Sequence, residues 1–470
     1  MRPAPPIAKT NRLPRLLVTL SVLAGVAVFG VILTFSAWRW SLAGDIDAKT
    51  AAIKAAGLPV DWQDLKNWPI SIPDNENAAF IYTNAIAHLN GDSIENITDI
   101  DDPAQLRRPI SAKMRAEFDW VVKTNSLALT IISQVTNAGK SRYPITFDGP
   151  NLLVPHLAGL RKLAEVLEYD AILKAADSNG PAASDDVLSI LKLSQSLDEE
   201  PVLISQLASV GILGISCDTV QGVLSHTPLP EGQLSKLESQ FSAAEATNRI
   251  LTGLIGDRAL NNGLLRLALD DPQKFIDIGN SHSSGDGDDD GIKLPRNPGV
   301  GWKILGLFER DRDFYLNAMA TNILLIAQGP PASLAMTDED DRLSDEAANN
   351  LDVFSAMLLQ ELGRVASSDA RDRARLRDAI AAIAVERWRS AHHGALPDSL
   401  SNLAPAFLPA VPVDPFDGNP LHYKKLTNGY CIYSIGPNLR DDGGKEMPPL
   451  KVRETTPGWT NYDIVFTVQR

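Results

Sequence analysis

The chain has 470 residues and a hydrophobic content of 44%, enough to bury a core in about two or three domains. Its 44 Lys and Arg residues against 58 Asp and Glu residues give a formal net charge of −14. The first fifteen residues contain four basic residues and no acid: Arg2, Lys9, Arg12 and Arg15. Without these four, 40 basic residues face 58 acidic ones, a balance that repels a phosphate backbone, so we predict no nucleic-acid partner.

An uncharged run rich in Leu, Val and Ala extends from Leu16 to Trp38. It is long enough to cross a hydrocarbon core of about 30 Å as one helix. The basic residues before it, with Trp38 and Trp40 at its far end, predict an uncleaved signal anchor whose N-terminus is cytoplasmic. The alternative is a cleaved signal peptide, whose apolar region is typically about 7–15 residues long. The anchor interpretation predicts a single-pass protein of the bacterial inner membrane with a periplasmic bulk.

The middle of the chain has a helical pattern. Apolar residues recur at helical spacing from about Ser111 to Val365. Turn-forming residues interrupt this pattern at 179–181, 227–230 and 329–331. We therefore expect an irregular bundle built of helical hairpins.

Two further uncharged stretches, 202–217 and 314–328, are too short to cross a membrane and predict buried core helices. Cys217 and Cys431 stand in apolar surroundings, which favours two buried, reduced thiols over a disulfide. Nearer the N-terminus, the stretch 75–82 (Asn-Glu-Asn-Ala-Ala-Phe-Ile-Tyr) resembles a phrase found in uncharacterised bacterial membrane-anchored exported proteins. That resemblance is too short to imply a function.

A stretch without apolar side chains contains Asp286, Asp288 and Asp290 followed by a glycine. Alternating carboxylates before such a turn match the first half of a calcium loop. The second half departs from that pattern, because Asn297 stands where a bidentate Glu is needed. The alternative is a solvated polar loop.

The C-terminal region predicts a helix packed on a small sheet. The helix runs from about Arg371 to His393 and carries one apolar face. Strands at 421–425 and 430–435 flank Asn-Gly, a strong hairpin signal, and 462–467 supplies a third strand.

This region also resembles the globular domain of the major pseudopilin of type II secretion, whose long helix is followed by a loop and three antiparallel strands. The matching residues occur in the same order and comprise Gly394-Ala-Leu-Pro397, Leu400, Leu403, Pro412, Asp414-Pro415, Gly418-Asn-Pro420, Tyr423, Tyr433-Ser434, Gly436, Gly443-Gly444 and Asp463-Ile464. The resemblance covers roughly the last hundred residues and implies the same α+β fold.

In that family the loop between the last strands holds calcium. By analogy, the resemblance implies Asn438, Asp441, Asp442 and Asp463 as ligands, and the alternative is a Gly-Gly turn beside solvated acids. The chain departs from the family in its N-terminal half, because no acid precedes Asp45 and over three hundred residues separate the apolar run from the C-terminal helix. We therefore expect an anchored protein that reuses the domain rather than a polymerising subunit.

Catalytic motifs are weak. A Ser-x-x-Lys spacing occurs at Ser189 and Lys192 without a partner motif, and the pair His392-His393 fits a helix end. We name no catalytic residue. Two function classes remain: a non-enzymatic protein that binds other envelope or secretion proteins, and an envelope hydrolase whose site lies unrecognised in the helical region.

Together these patterns predict a mostly α chain with an N-terminal transmembrane helix, an extracytoplasmic α-helical bundle and a small C-terminal α+β pseudopilin-like domain with a three-stranded antiparallel sheet. The predicted segments are a cytoplasmic tail (1–15), a transmembrane helix (16–38), a juxtamembrane segment (39–110), a helical domain (111–366) and the pseudopilin-like domain (367–470).

Overall fold

The computed structural model describes residues 12–68, 72–95, 97, 103–135, 141–147, 152–271, 305–359, 362–448 and 462–470. Over these residues the chain is mostly helical, with an apolar N-terminal helix and one small antiparallel sheet near the C-terminus. These three features of the predicted fold class are confirmed. The predicted loop at Asp286, Asp288 and Asp290 lies outside the described residues.

The N-terminal helix α1 (Arg12–Ala55) is longer than the predicted span. It does not end at Trp38, because the residues that follow contain no proline to interrupt the helix. It ends where Gly57 adopts a φ of +72°. There the Gly57 N–H donates to the Lys54 carbonyl and the Leu58 N–H donates to the Ile53 carbonyl, the hydrogen bonds of a Schellman C-cap.

In the described residues from 62 to 271, five short helices and five longer ones follow. The short helices are α2 (Trp62–Leu65), α3 (Ala79–Ala87), α4 (Gly91–Glu95), α5 (Ala112–Thr124) and α6 (Ser126–Ile132). The longer helices are α7 (His156–Ala176), α8 (Gly180–Gln195), α9 (Leu203–His226), α10 (Glu231–Ala246) and α11 (Arg249–Asp270). The predicted interruptions at 179–181 and 227–230 fall at the α7–α8 and α9–α10 turns, so these two are confirmed.

Helix α9 lies in the centre of the helical body. Its apolar side chains, including Ile212, Leu213 and Val220, are fully buried. It approaches α7 closely at Gly222, where a Cβ would lie 2.4 Å from the Ile172 Cδ1. The prediction of a buried core helix over 202–217 is therefore confirmed.

Among the described residues that follow, four helices complete the helical part: α12 (Leu307–Gln328), α13 (Met336–Asn350), α14 (Val353–Leu358) and α15 (Leu362–Ala391). Helix α15 begins nine residues before the predicted Arg371. Gly363 and two serines make this first stretch a weak helix former by propensity. Tertiary contact stabilises it, because the Asp340 side chain accepts a hydrogen bond from the Gly363 N–H at 3.0 Å.

The sheet has the strand order β1 (His422–Leu426), β2 (Gly429–Ser434) and β3 (Ile464–Gln469), with both pairings antiparallel. The predicted Asn-Gly hairpin is confirmed, since Leu426 pairs with Gly429. Only glycine fits there, because a Cβ on Gly429 would lie 1.9 Å from the Val468 carbonyl oxygen.

One apolar cluster joins the sheet to the helices. Tyr430, Ile432 and Phe466 pack with buried residues of α7, α8, α9, α10 and α15. The predicted domain boundary between residues 366 and 367 lies within the continuous helix α15. The C-terminal region is thus built into the helical body through a shared core.

Candidate functional site at the base of the N-terminal helix

Helix α1 has two halves with different surroundings. Residues 17–34 are exposed although nearly all of them are apolar, and examples are Leu23 at 64% and Val31 at 66% exposure. Of the described helices, two are long and apolar enough to cross a membrane: the stretch Leu17–Ala55 and helix α9. Helix α9 is mostly buried in the body, whereas the N-terminal stretch is bare. The N-terminal helix is therefore compatible with a membrane anchor.

The second half of α1 packs on α12. The side chains that face the body are spaced by three or four residues along the helix, as in a coiled-coil seam. Leu42 and Ile46 are buried against Leu316 of α12, with Ile53 packed beside them. Sequence reasoning missed this contact because it placed the end of the helix at Trp38, yet the apolar spacing that signals it is present in the sequence.

Two ion pairs flank the apolar contact. Arg39 pairs with Glu309 near the start of α12, and Lys49 pairs with Asp313 one turn later. All four side chains are between 19% and 35% exposed. Pairs with this exposure add little stability by themselves, but they fix the rotation of α1 against α12.

At Gly306, immediately before α12, the backbone of the body lies close to the side chains of α1. Its φ is +67°, and a Cβ at this position would lie 3.2 Å from Trp38 Cζ3 and 3.3 Å from Arg39 Nε. We call the contact region formed by Trp38, Arg39, Gly306 and Glu309 the anchor base. It is the level at which the bare half of α1 meets the folded body.

The structure brings the four residues of the predicted calcium loop together. The Asp463 carboxylate accepts hydrogen bonds from the N–H groups of Asp442, Gly444 and Lys445, at 3.2, 2.7 and 3.3 Å. Its burial raises the pKa of this carboxyl group, and the three N–H donors oppose that rise.

The other three predicted ligands also have protein partners. The Asn438 amide donates to Asp442 at 2.9 Å, and Asp441 accepts from the Tyr433 hydroxyl at 3.2 Å and from the Gly443 N–H at 2.8 Å. Over the described part of the chain, no three His, Cys, Asp or Glu side chains are grouped as a metal site requires. Calcium binding stays a prediction.

Two further buried acids, Asp378 and Asp414, lie between α15 and the sheet. Asp414 accepts hydrogen bonds from the Phe416 N–H, the Ser434 hydroxyl and the Ile435 N–H, each at 2.8 Å. Asp378 is 1% exposed, and neither of its carboxyl oxygens has a hydrogen-bond partner among the described residues. Burial raises the pKa of Asp378 well above its ordinary value, the nearby Asp414 adds to the rise, and Arg375 opposes it.

A buried polar network links α7 to α9 through Glu200 in the loop between α8 and α9. His156 Nε2 lies 3.0 Å from Glu200 Oε2, and the Ser205 hydroxyl donates to the other oxygen of Glu200. The Tyr143 ring stacks on His156 with the ring centroids 4.0 Å apart. The order is hydroxyl, carboxylate, imidazole, whereas acyl transfer needs the imidazole between the other two. Together with the burial of all three groups, this order indicates a structural role.

A further charged cluster surrounds Arg375 of α15. Its guanidinium donates to both oxygens of Asp218 at 3.0 Å, and Gly214 leaves room for it on α9. Burial raises the pKa of the neighbouring Glu168 well above its ordinary value, and Asp218 adds to this rise. Burial also raises the pKa of Asp372 to about 7.

The remaining sequence candidates have local explanations. The Ser189 hydroxyl donates to the Asp185 carbonyl and Lys192 donates to the Val135 carbonyl, so the two are not paired with each other. His392 follows the last residue of α15 and stacks on Trp388 at 3.7 Å, as expected for a helix end. The two cysteines are buried and free, which confirms that prediction.

Comparisons of the chain with protein-family models, with curated proteins and with solved structures returned no match.

Proposed function

We propose that the protein is a membrane-anchored, extracytoplasmic protein that binds other envelope or secretion proteins without catalysing a reaction. The observation that carries the anchoring is the change of surroundings along α1. Residues 17–34 bury nothing within the chain, although exposing so many apolar side chains to water is costly. A lipid environment removes that cost.

The orientation rests on charge. Arg2, Lys9, Arg12 and Arg15 precede the apolar stretch, and Trp38 and Trp40 follow it, which favours a cytoplasmic N-terminus. The folded body then lies on the other side of the membrane, in the periplasm of a bacterium with two membranes.

The non-enzymatic interpretation rests on the buried ionisable groups. Among the described residues, the acids with the largest upward pKa shifts, Glu168 and Asp378, are less than 9% exposed. The serine, histidine and glutamate network lies equally deep and has the wrong order for acyl transfer. These groups support a specific packing of the helices, and no described group favours the hydrolase alternative. The pseudopilin resemblance supports a partner in secretion.

Topology can be tested with a reporter that is active only outside the cytoplasm, fused after Arg470 through a flexible linker. We expect activity in this fusion and none in the matching fusion to a cytoplasmic reporter. The reverse pattern would overturn the proposed orientation.

Anchoring can be tested by truncation at the point where the two halves of α1 meet. Removing residues 1–34 deletes the bare half and keeps the packed one, so we expect a soluble, folded protein. Removing residues 1–55 also uncovers Leu316, so we expect a lower melting temperature than in the shorter truncation. Sedimentation of the 1–34 truncation with salt-washed membranes would contradict the anchor assignment.

Partner binding can be tested by photo-crosslinking on intact cells followed by purification from solubilised membranes. We expect crosslinks to a small set of envelope or secretion proteins. A protein that remains uncrosslinked from every exposed position would contradict the binding role.

A further inference from the structure

The anchor base carries apolar surface outside α1. Leu305 is 54% exposed, and Trp38 and Trp40 are 40% and 82% exposed. Leu305 directly precedes Gly306, so its Cα lies about 3.8 Å from the Gly306 Cα. Since Gly306 lies against the Trp38 ring, Leu305 is held at the same end of the bare half of α1.

The height of this surface follows from the helix rise. Residues 17–38 span about 33 Å as an α-helix, close to the roughly 30 Å of a hydrocarbon core. Trp38 therefore comes to the edge of the bilayer if the helix spans it, and tryptophan is the side chain that favours this level. Leu305 then lies at the same level.

Charge does not oppose this placement. Arg39 and Glu309 at the anchor base form an ion pair with each other. The exposed apolar residues at this level, Leu305, Trp38 and Trp40, thus accompany a neutralised ion pair, which suits the boundary between headgroups and acyl chains.

We propose that Leu305, two residues before α12, contacts the bilayer surface at the level of Trp38 and Trp40, so that the body rests on lipid at a second point. This rests on the proposed anchoring. The ligand is the lipid surface itself, and the neutralised charge predicts a contact that does not depend on anionic lipids.

The test uses the full chain in lipid nanodiscs. A fluorophore is attached at Leu305→Cys, and the native cysteines are buried. The matched control is Leu324→Cys, which is 67% exposed on α12, about 25 Å along that helix from its first residue. A nitroxide on the lipid headgroup should quench the label at 305 at least threefold more than the label at 324, in zwitterionic and in anionic lipid alike. Equal quenching at the two positions would overturn the proposal.

A label at Gly30→Cys distinguishes a missing lipid contact at Leu305 from a missing membrane anchor. A nitroxide deep in the acyl chains should quench it strongly. Quenching at 30 without quenching at 305 would overturn the lipid contact and leave the anchor intact. Absence of quenching at 30 would overturn the anchor, and the lipid contact with it.

Two glycine variants test whether the Trp38 contact positions Leu305. Gly306 and Gly329 both have a positive φ, +67° and +69°, which strains a valine at either position. Their ψ angles differ, at 22° and 165°, and a Cβ at Gly329 meets no atom within 4 Å. Gly306→Val should therefore reduce quenching at 305 by half or more, and Gly329→Val should leave it unchanged. An equal effect of both variants would show that the Trp38 contact does not position Leu305.

Discussion

Buried carboxyl groups in the C-terminal loops accept more hydrogen bonds than buried carboxyl groups in helix α15. Asp414 and Asp463 lie in loops and accept three hydrogen bonds each, including backbone N–H donors. Asp378, on α15, has no hydrogen-bond partner among the described residues, and one oxygen of Asp372 likewise has none. All four are less than 9% exposed.

The difference teaches where a buried acid finds hydrogen-bond donors. In a loop, backbone N–H groups are free to point at a carboxylate and replace water. In the middle of a helix, every N–H already donates to a carbonyl four residues earlier, so a buried acid meets only side chains. Its charged form is then disfavoured and its pKa rises.

The largest expected effect is at the loop acid beside the sheet. Asp414→Asn should lower the free energy of unfolding by about 3 kcal/mol, because at least one donor loses its acceptor in a buried site. The matched control is Asp378→Asn, which resembles the protonated acid and should change stability by less than about 1 kcal/mol at pH 5. Chemical denaturation of both variants measures this. Equal losses would refute the distinction between loop and helix acids.

The second effect is a change in pH dependence. Burial raises the pKa of Asp372 to about 7, whereas the unfolded value is about 4. Between these values the folded state binds more protons, so this group lowers the stability of the protein as pH rises. Asp372→Asn should match the original protein near pH 4 and exceed it at pH 8 by on the order of 2 kcal/mol. Parallel stability curves from pH 4 to 8 would contradict the expectation.

An intermediate effect is expected at Asp311, a helix acid that finds donors elsewhere. It lies on α12, yet it accepts hydrogen bonds from the Phe354 and Ser355 N–H groups at the start of α14, each at 2.8 Å. Asp311→Asn should cost about 1–2 kcal/mol, as loss of a helix cap does. The neighbouring Asp352→Asn weakens an ion pair with Arg310, whose side chain is 34% exposed, and should cost less. Thermal unfolding ranks the two, and the opposite ranking would speak against a capping role.

The smallest effect concerns calcium. The Asp463 carboxylate already has three N–H donors, so we expect calcium to leave the Tm of the full chain within about 1 °C of its value in chelator. Asp463→Asn should lower the Tm in both conditions, because its cost comes from the hydrogen bonds. A calcium-dependent rise in Tm that Asp442→Ala abolishes would instead establish the site implied by the pseudopilin resemblance.

The parts of the fold that sequence predicted are those with a local cause. The Asn428-Gly429 turn specifies the hairpin by its own backbone preferences, and the proline and glycine clusters end helices wherever they stand. Helix α9 was recognisable as a core helix because its uncharged stretch, 202–217, is shorter than a membrane span and contains polar residues.

The parts that sequence missed depend on distant partners. The packed half of α1 continues past Trp38 because α12 covers Leu42 and Ile46, and α15 starts early because Asp340 caps it. The networks around Glu200 and Arg375 bring together residues from three helices. The spacing of residues along the chain does not predict such contacts. The sequence predicted that the four calcium-loop residues lie close together. It did not predict that backbone N–H groups donate to Asp463 and Asp441.

The contacts that hold β3 and its flanking loop in place join very distant parts of the chain. The Thr467 N–H donates to Gln221 of α9, and Arg107 forms two hydrogen bonds with Glu446 at 2.7 and 2.6 Å. These pairs are 246 and 339 residues apart in sequence. Closing such large loops costs entropy before any contact compensates for it, so folding slows as this separation grows. Until β3 is in place, the apolar surface that Phe466 and Val468 cover in the shared core stays exposed, which favours aggregation.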